Sequence, residues 1–147
     1  MNHYLNQSNV YQEVAIQTSS PAKLVVMLYE GTIRFLNQSI EAINAKDLDA
    51  KRRSIDRAIG IIQHLQNTLD RGQGGDLAAD LDRLYSYIMS RILDGSGTLE
   101  TKPLEEAIKL LNTLLAGWED VVKKENEHAV PPELLASQAR QRFNLHV

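Results

Sequence analysis

Residues 18–35, TSSPAKLVVMLYEGTIRF, open with a helix-start signal and run straight into an apolar stretch. Ser20 can accept a hydrogen bond from an unpaired first-turn amide, and Pro21 suits the first helical position, where no N–H partner is needed. The stretch therefore predicts a helix beginning at about residue 21. Working outward, Leu24, Leu28, Phe35, Leu36, Ile40 and Ile43 recur along one broad side as far as Asn44.

Three more segments repeat the pattern. From about Leu48 to Arg71, Ile55, Ala58, Ile59, Ile62, Leu65 and Leu69 fall at three- and four-residue steps. Gly72 is placed to end that helix in a left-handed cap, Gly74 and Gly75 to reverse the chain, and Asp76 to cap the next helix. The third segment, from about Leu77 to Leu93, carries Leu77, Leu81, Leu84, Tyr85, Ile88, Met89 and Ile92, and is expected to stop at Asp94–Gly97. Thr101 and Pro103 open the fourth, whose apolar face runs from Leu104 through Trp118 to Val122. Four amphipathic helices joined by short connections should pack antiparallel, each burying its stripe against the others. The expected fold is an all-α, up-down four-helix bundle over residues 1–126, with an N-terminal arm at 1–18 and a weakly ordered C-terminal tail at 127–147.

Composition agrees with a single core. The chain has 147 residues, 43% hydrophobic and 24% charged, and its few breakers (8 Gly, 4 Pro) lie at expected element boundaries. A domain of this size buries about 68–70% of the surface its unfolded chain exposes. Cysteine is absent, which excludes disulfides, thiolate nucleophiles and zinc–thiolate sites. The polar start MNHYLNQSNVYQEV lacks a secretion-signal pattern, and the apolar run Leu24–Leu28 is far below the ~20 residues of a membrane helix. A cytoplasmic protein without membrane insertion is expected.

Charge offers little for nucleic acid. The formal net charge is −3, and the local basic cluster Lys46, Lys51, Arg52, Arg53 and Arg57 is interleaved with Asp47, Asp49 and Asp56. That pattern reads as a solvated helix start in preference to a phosphate-binding patch. Catalytic and metal patterns also fail. A di-iron carboxylate bundle needs two Glu-x-x-His pairs; Glu125 and His128 supply one, at the end of the fourth helix, and the second segment has no Glu. His3, His64, His128 and His146 are scattered, and no nucleophile elbow, P-loop or dinucleotide fingerprint occurs. No enzyme, metal or cofactor is expected.

What remains is surplus apolar surface. Ile61 lies beside the second stripe, and Val25, Val26 and Met27 fill positions that a one-faced helix would leave polar. The arm holds Tyr4, Leu5, Val10, Tyr11, Val14 and Ile16 with a single charge, Glu13. Together they suggest a groove for an amphipathic helix or an extended apolar segment of a partner. The residues chosen for it are Ile55, Ile61, Ile62, Leu65, Leu77, Leu81 and Tyr85, on the second and third helices. The arm residues are expected to cover the groove until a partner displaces them, which also makes arm-swapped dimers possible.

Tyr4 and Tyr11 ahead of Thr18, Ser20 and Pro21, then LVVMLYEGTIRFLN at 24–37, Ile61, Ile62, Leu65, Leu69, Gly74, Gly75, Leu84, Tyr85 and Trp118 stand in an order that resembles the FliS family of flagellar secretion chaperones. The resemblance covers roughly residues 4–122. Thr32 departs from the small apolar residue usual after the Gly, and the tail beyond about 127 has no counterpart. The resemblance implies a cytoplasmic chaperone that holds the disordered C-terminal region of flagellin, prevents its premature polymerisation, and delivers it to the flagellar type III export apparatus, whose export gate would be a further partner. The alternative from the residues themselves is a non-enzymatic helical adaptor that docks a folded partner or self-associates.

Overall fold

The computed structural model describes residues 20–128. They form four α-helices: α1 (Pro21–Asn44), α2 (Leu48–Asn67), α3 (Gly75–Thr98) and α4 (Lys102–His128). Each helix packs against two neighbours, in the cyclic order α1–α2–α3–α4–α1. Polar cross-links fix the directions. Ser39 near the end of α1 meets Ser54 near the start of α2 at 2.6 Å, and Lys51 at the start of α2 donates to Ser96 at the end of α3. Arg91 late in α3 pairs with Glu106 early in α4 at 2.7 Å, and Ser20 ahead of α1 donates to Glu125 late in α4. All four neighbouring pairs are therefore antiparallel, and the expected up-down bundle is what forms.

The interior draws on the predicted stripes, with Tyr29 of α1 and Ile61 of α2 added to them and Leu77 of α3 left exposed. Leu28, Tyr29 and Leu36 of α1, Ile55 to Leu65 of α2, Leu81 to Ile92 of α3, and Leu104, Ala107, Leu111 and Leu115 of α4 make one continuous core. Thr32 is also fully buried. Its hydroxyl donates to the Leu28 carbonyl at 2.9 Å, so the departure from a small apolar residue leaves no polar group unsatisfied.

Helix ends follow local chemistry, with three differences from the sequence expectation. At the start of α1, Ser20 accepts from the Lys23 amide with Pro21 at the first position, as expected. At the other end, α2 stops at Asn67 rather than Arg71, with Thr68 in a right-handed cap. The Thr68 hydroxyl takes the Leu65 carbonyl, and the Asp70 carboxylate accepts from the Gly72 and Gln73 amides, so a turn built by Asp70 replaces the expected Gly72 cap. At its start, α3 is entered through Gly74 and a left-handed Gly75 (φ +53°), which leaves Asp76 inside the first turn instead of capping it. A side chain at Gly74 would begin 2.5 Å from the Asp70 carbonyl oxygen, so glycine is required there.

The third difference is that α3 runs on through Gly95 and Gly97 to Thr98. The Glu100 amide then bonds the Gly95 carbonyl, and a side chain at Gly95 would meet the Glu100 carbonyl at 2.9 Å and Leu104 at 3.0 Å. Gly95 thus serves as a close-approach point for the start of α4, with helix propensity sacrificed to that packing.

Between α1 and α2 the chain turns in three residues. Asp47 caps α2 through the Ala50 amide, and its own amide bonds Ala42 while Lys46 bonds Ile43. Lys46 occupies the left-handed position of this C-terminal motif at φ 58°. A left-handed L-residue costs about 1–2 kcal/mol, part of which glycine gives back as unfolded-chain entropy. Lys46→Gly should therefore stabilise the chain by about 0.5–1 kcal/mol, read as a higher urea midpoint at unchanged slope; a lower midpoint would show that Lys46 carries a favourable contact outweighing its backbone strain.

Candidate functional site

The centre of the bundle is occupied by a polar pair. Tyr29 from α1 and Tyr85 from α3 reach across the bundle, their rings edge-on with centroids 6.3 Å apart and their hydroxyls 2.6 Å apart. Both are almost wholly buried. Burial lifts the Tyr29 phenol far above its ordinary range, and the neighbouring Tyr85 adds to the rise, with Trp118 opposing it. Burial also raises Tyr85, against the hydrogen bond it shares with Tyr29. Neither phenol is poised to exchange a proton near neutrality, so the pair is a structural clasp between helices that lack direct backbone contact.

Among the described residues no group of His, Asp and Glu is arranged to hold a metal ion, and no helix is long and apolar enough to cross a membrane. At the α3–α4 surface, Glu106 accepts from Tyr87 at 2.5 Å and from Arg91. Its carboxyl is held below the usual range, first by Tyr87 and then by Arg91. This is a solvent-facing tie between helices.

The seven residues expected to line a groove separate sharply. Ile55, Ile61, Ile62, Leu65, Leu81 and Tyr85 are each at most 8% exposed and belong to the core, whereas Leu77 is 66% exposed at the start of α3. The physical reason is the square arrangement: α2 and α3 turn these side chains inward to meet α1 and α4, which leaves them little free surface. The arm residues Tyr4, Leu5, Val10, Tyr11, Val14 and Ile16, and the tail, lie outside the described residues.

An apolar cleft opens elsewhere. A cleft of about 640 Å³ lies between the first turns of α1 and the last turns of α4, with Val26, Met27 and Val122 as its apolar lining and Lys23, Glu119 and Lys123 among its rim. Met27 is 42% exposed. The cleft exists because the buried stripe of α4 ends at Leu115, while the helix continues another three turns to His128 with only Trp118 and Val122 half-covered. Ser20, where the arm joins the bundle, bonds Glu125 beside it at 2.7 Å. Val26 and Met27 stood out in the sequence as surplus apolar residues. Val122 did not, because its partnership with the start of α1 depends on antiparallel packing of the two outermost helices.

This helical bundle, with an apolar cleft beside the start of α1, is matched from residue 4 to residue 125 by the family model for the flagellar protein FliS. The chain belongs to the FliS family. FliS relatives include the flagellar secretion chaperone FliSB of Pseudomonas aeruginosa, 34% identical over 76% of this chain and 91% of that protein. The flagellar secretion chaperone FliS of Bacillus subtilis is 27% identical over 83% of this chain and 90% of its own length. The FliS chaperone of Salmonella typhimurium is 30% identical over 80% and 87% respectively. A crystal structure of a flagellar chaperone from bacteria shares the fold, with a TM-score of 0.67 at 23% identity over 80% of this chain and 98% of that one. FliS proteins are chaperones and not enzymes, and a chaperone role in flagellar export is this chain's function class.

Proposed function

We propose that this FliS protein works in the cytoplasm, where it holds the disordered C-terminal region of flagellin against apolar surface, keeps it from polymerising, and releases it to the flagellar type III export apparatus. The observation that carries this reading is the family match over residues 4–125, together with an apolar cleft that the described residues form between the start of α1 and the end of α4. The client's first contacts are assigned to Val26, Met27 and Val122, with the exposed Leu77 as a second point of attachment. The buried residues of α2 and α3 serve as the rigid wall behind. Folding of a disordered client on such a surface costs about 2–5 kcal/mol of the gross interaction energy, which keeps binding reversible.

The arm acts as the displaceable cover in this proposal. Tyr4, Leu5, Val10, Tyr11, Val14 and Ile16 occupy the cleft in the free chain and yield to flagellin. The support is positional: the arm enters the bundle at Ser20, and Lys23, less than one turn later, lines the cleft. An occluded site lowers apparent affinity in proportion to its open fraction. Deleting residues 1–17 should therefore tighten binding of a flagellin C-terminal peptide in calorimetry. Unchanged or weaker affinity would remove the arm from the cleft.

A further inference from the structure

The basic cluster that the sequence placed at the start of α2 is divided by the tertiary structure. Lys51 is taken up by Ser96 on α3, and Arg52 by Asp49 on its own helix. Lys46 stays in the turn before α2, Arg53 and Arg57 remain one turn apart on α2, and Arg34 of α1 meets Arg57 at the α1–α2 seam. The guanidinium carbons of Arg34 and Arg57 lie 5.6 Å and 5.7 Å from the centroid of the same ring, the half-buried Phe35. Arg34 folds back along the seam, its Nη2 3.7 Å from the point where a side chain at Gly31 would begin, beside Ile61 of α2.

Their ion pairing sets these three apart. Arg71 pairs with Asp82, Arg83 with Asp80, and Arg91 with both Asp94 and Glu106, as Arg52 does with Asp49. Among the described residues, Arg34, Arg53 and Arg57 are the arginines with no carboxylate partner, and all three are exposed. Both guanidinium groups are held against one aromatic ring, which limits the orientations they adopt. Such an arrangement is preorganised to receive carboxylates, because each planar fork can donate two parallel hydrogen bonds.

We propose that Arg34, Phe35, Arg53 and Arg57 form a docking plate for an acidic segment of a partner polypeptide. The plate is distinct from the client cleft: Phe35 lies eight residues along α1 from Met27, about 12 Å at helical rise. Acidic side chains of the partner accept from Arg34 and Arg57 above the ring, and a further carboxylate one helical turn away meets Arg53. Nucleic acid fits less well. The chain's net charge is −3, and three cations on one seam do not extend into a stripe that follows a phosphate backbone.

The test uses the full-length chain and a fluorescein-labelled short peptide of alternating Glu and Asp, titrated by anisotropy. The wild-type chain should bind it saturably and more weakly as salt rises. Arg34→Gln with Arg57→Gln should lose about tenfold in affinity or more, whereas Arg71→Gln, which removes an arginine already engaged by Asp82, should leave it unchanged. Arg34→Lys with Arg57→Lys keeps charge and most packing but loses the forks, and should bind between the two. Circular dichroism confirms that each variant is folded. The proposal is overturned if the wild type does not bind, if the Gln or Lys pair binds like the wild type, if Arg71→Gln loses as much, or if a single-stranded oligonucleotide of equal charge competes equally well.

Discussion

Ile62→Asp should abolish the folded state, while Met27→Asp and Val122→Asp should leave it intact and abolish flagellin binding. Ile62 is fully buried in the core cluster, where no cationic side chain is buried to pair with a carboxylate. The substitution combines lost apolar burial with an unpaired buried charge, together more than about 4 kcal/mol. That is a large share of the roughly 5–15 kcal/mol by which a domain is stable. Far-ultraviolet circular dichroism should show lost helix and no cooperative melt. Met27 is 42% exposed and Val122 half-exposed on α4, so a carboxylate at either stays hydrated and should change stability by only about 0.5 kcal/mol. Their loss of binding to a flagellin C-terminal peptide, measured by calorimetry, would assign the client seat to the α1–α4 cleft. Normal binding by both variants would move the seat elsewhere on the bundle.

Tyr29→Phe should destabilise the chain by about 1–3 kcal/mol, and adding Tyr85→Phe should recover much of that loss. The single substitution leaves the buried Tyr85 hydroxyl without the partner it has at 2.6 Å, whereas the double substitution removes both polar groups from an otherwise apolar centre. Urea unfolding of the two single variants and the double variant closes the cycle. A double variant less stable than the sum of the singles would contradict the pairing.

The same pair predicts an alkaline limb. Both phenols have folded-state pKa values raised above the ordinary value of 10.0, so folding favours their neutral form. Their contribution is fully present below pH 10 and is lost as pH rises beyond it, at up to about 1.4 kcal/mol per pH unit for each phenol held neutral. Tyr29→Phe/Tyr85→Phe should flatten the fall in stability between about pH 10 and 11.5 relative to the wild type.

Much of this molecule was legible as sequence because it depends on local periodicity. The four stripes named most of the core but missed Tyr29 and included the exposed Leu77, and Ser20–Pro21 named the start of α1. Boundaries were misread where a side chain competes with glycine for the backbone: Asp70 organises the turn after α2, and Gly95 stays helical to admit Glu100 and Leu104. Site residues were harder, since an apolar residue on a stripe has the same sequence signature whether it faces a neighbouring helix or a partner. Ile61 and Met27 both looked surplus; one closes the α1–α2 seam and the other borders an open cleft.

Heptad-like spacing, caps and composition alone were sufficient for an antiparallel four-helix bundle, because helix formation and stripe burial are decided within a few residues of each position. Which stripe residues keep free surface, that the ends of α1 and α4 enclose a cleft, and that Arg34 and Arg57 share one ring were decided only in three dimensions. Those features join residues tens of positions apart, and helix packing, unlike helix formation, fixes which face each side chain finally meets.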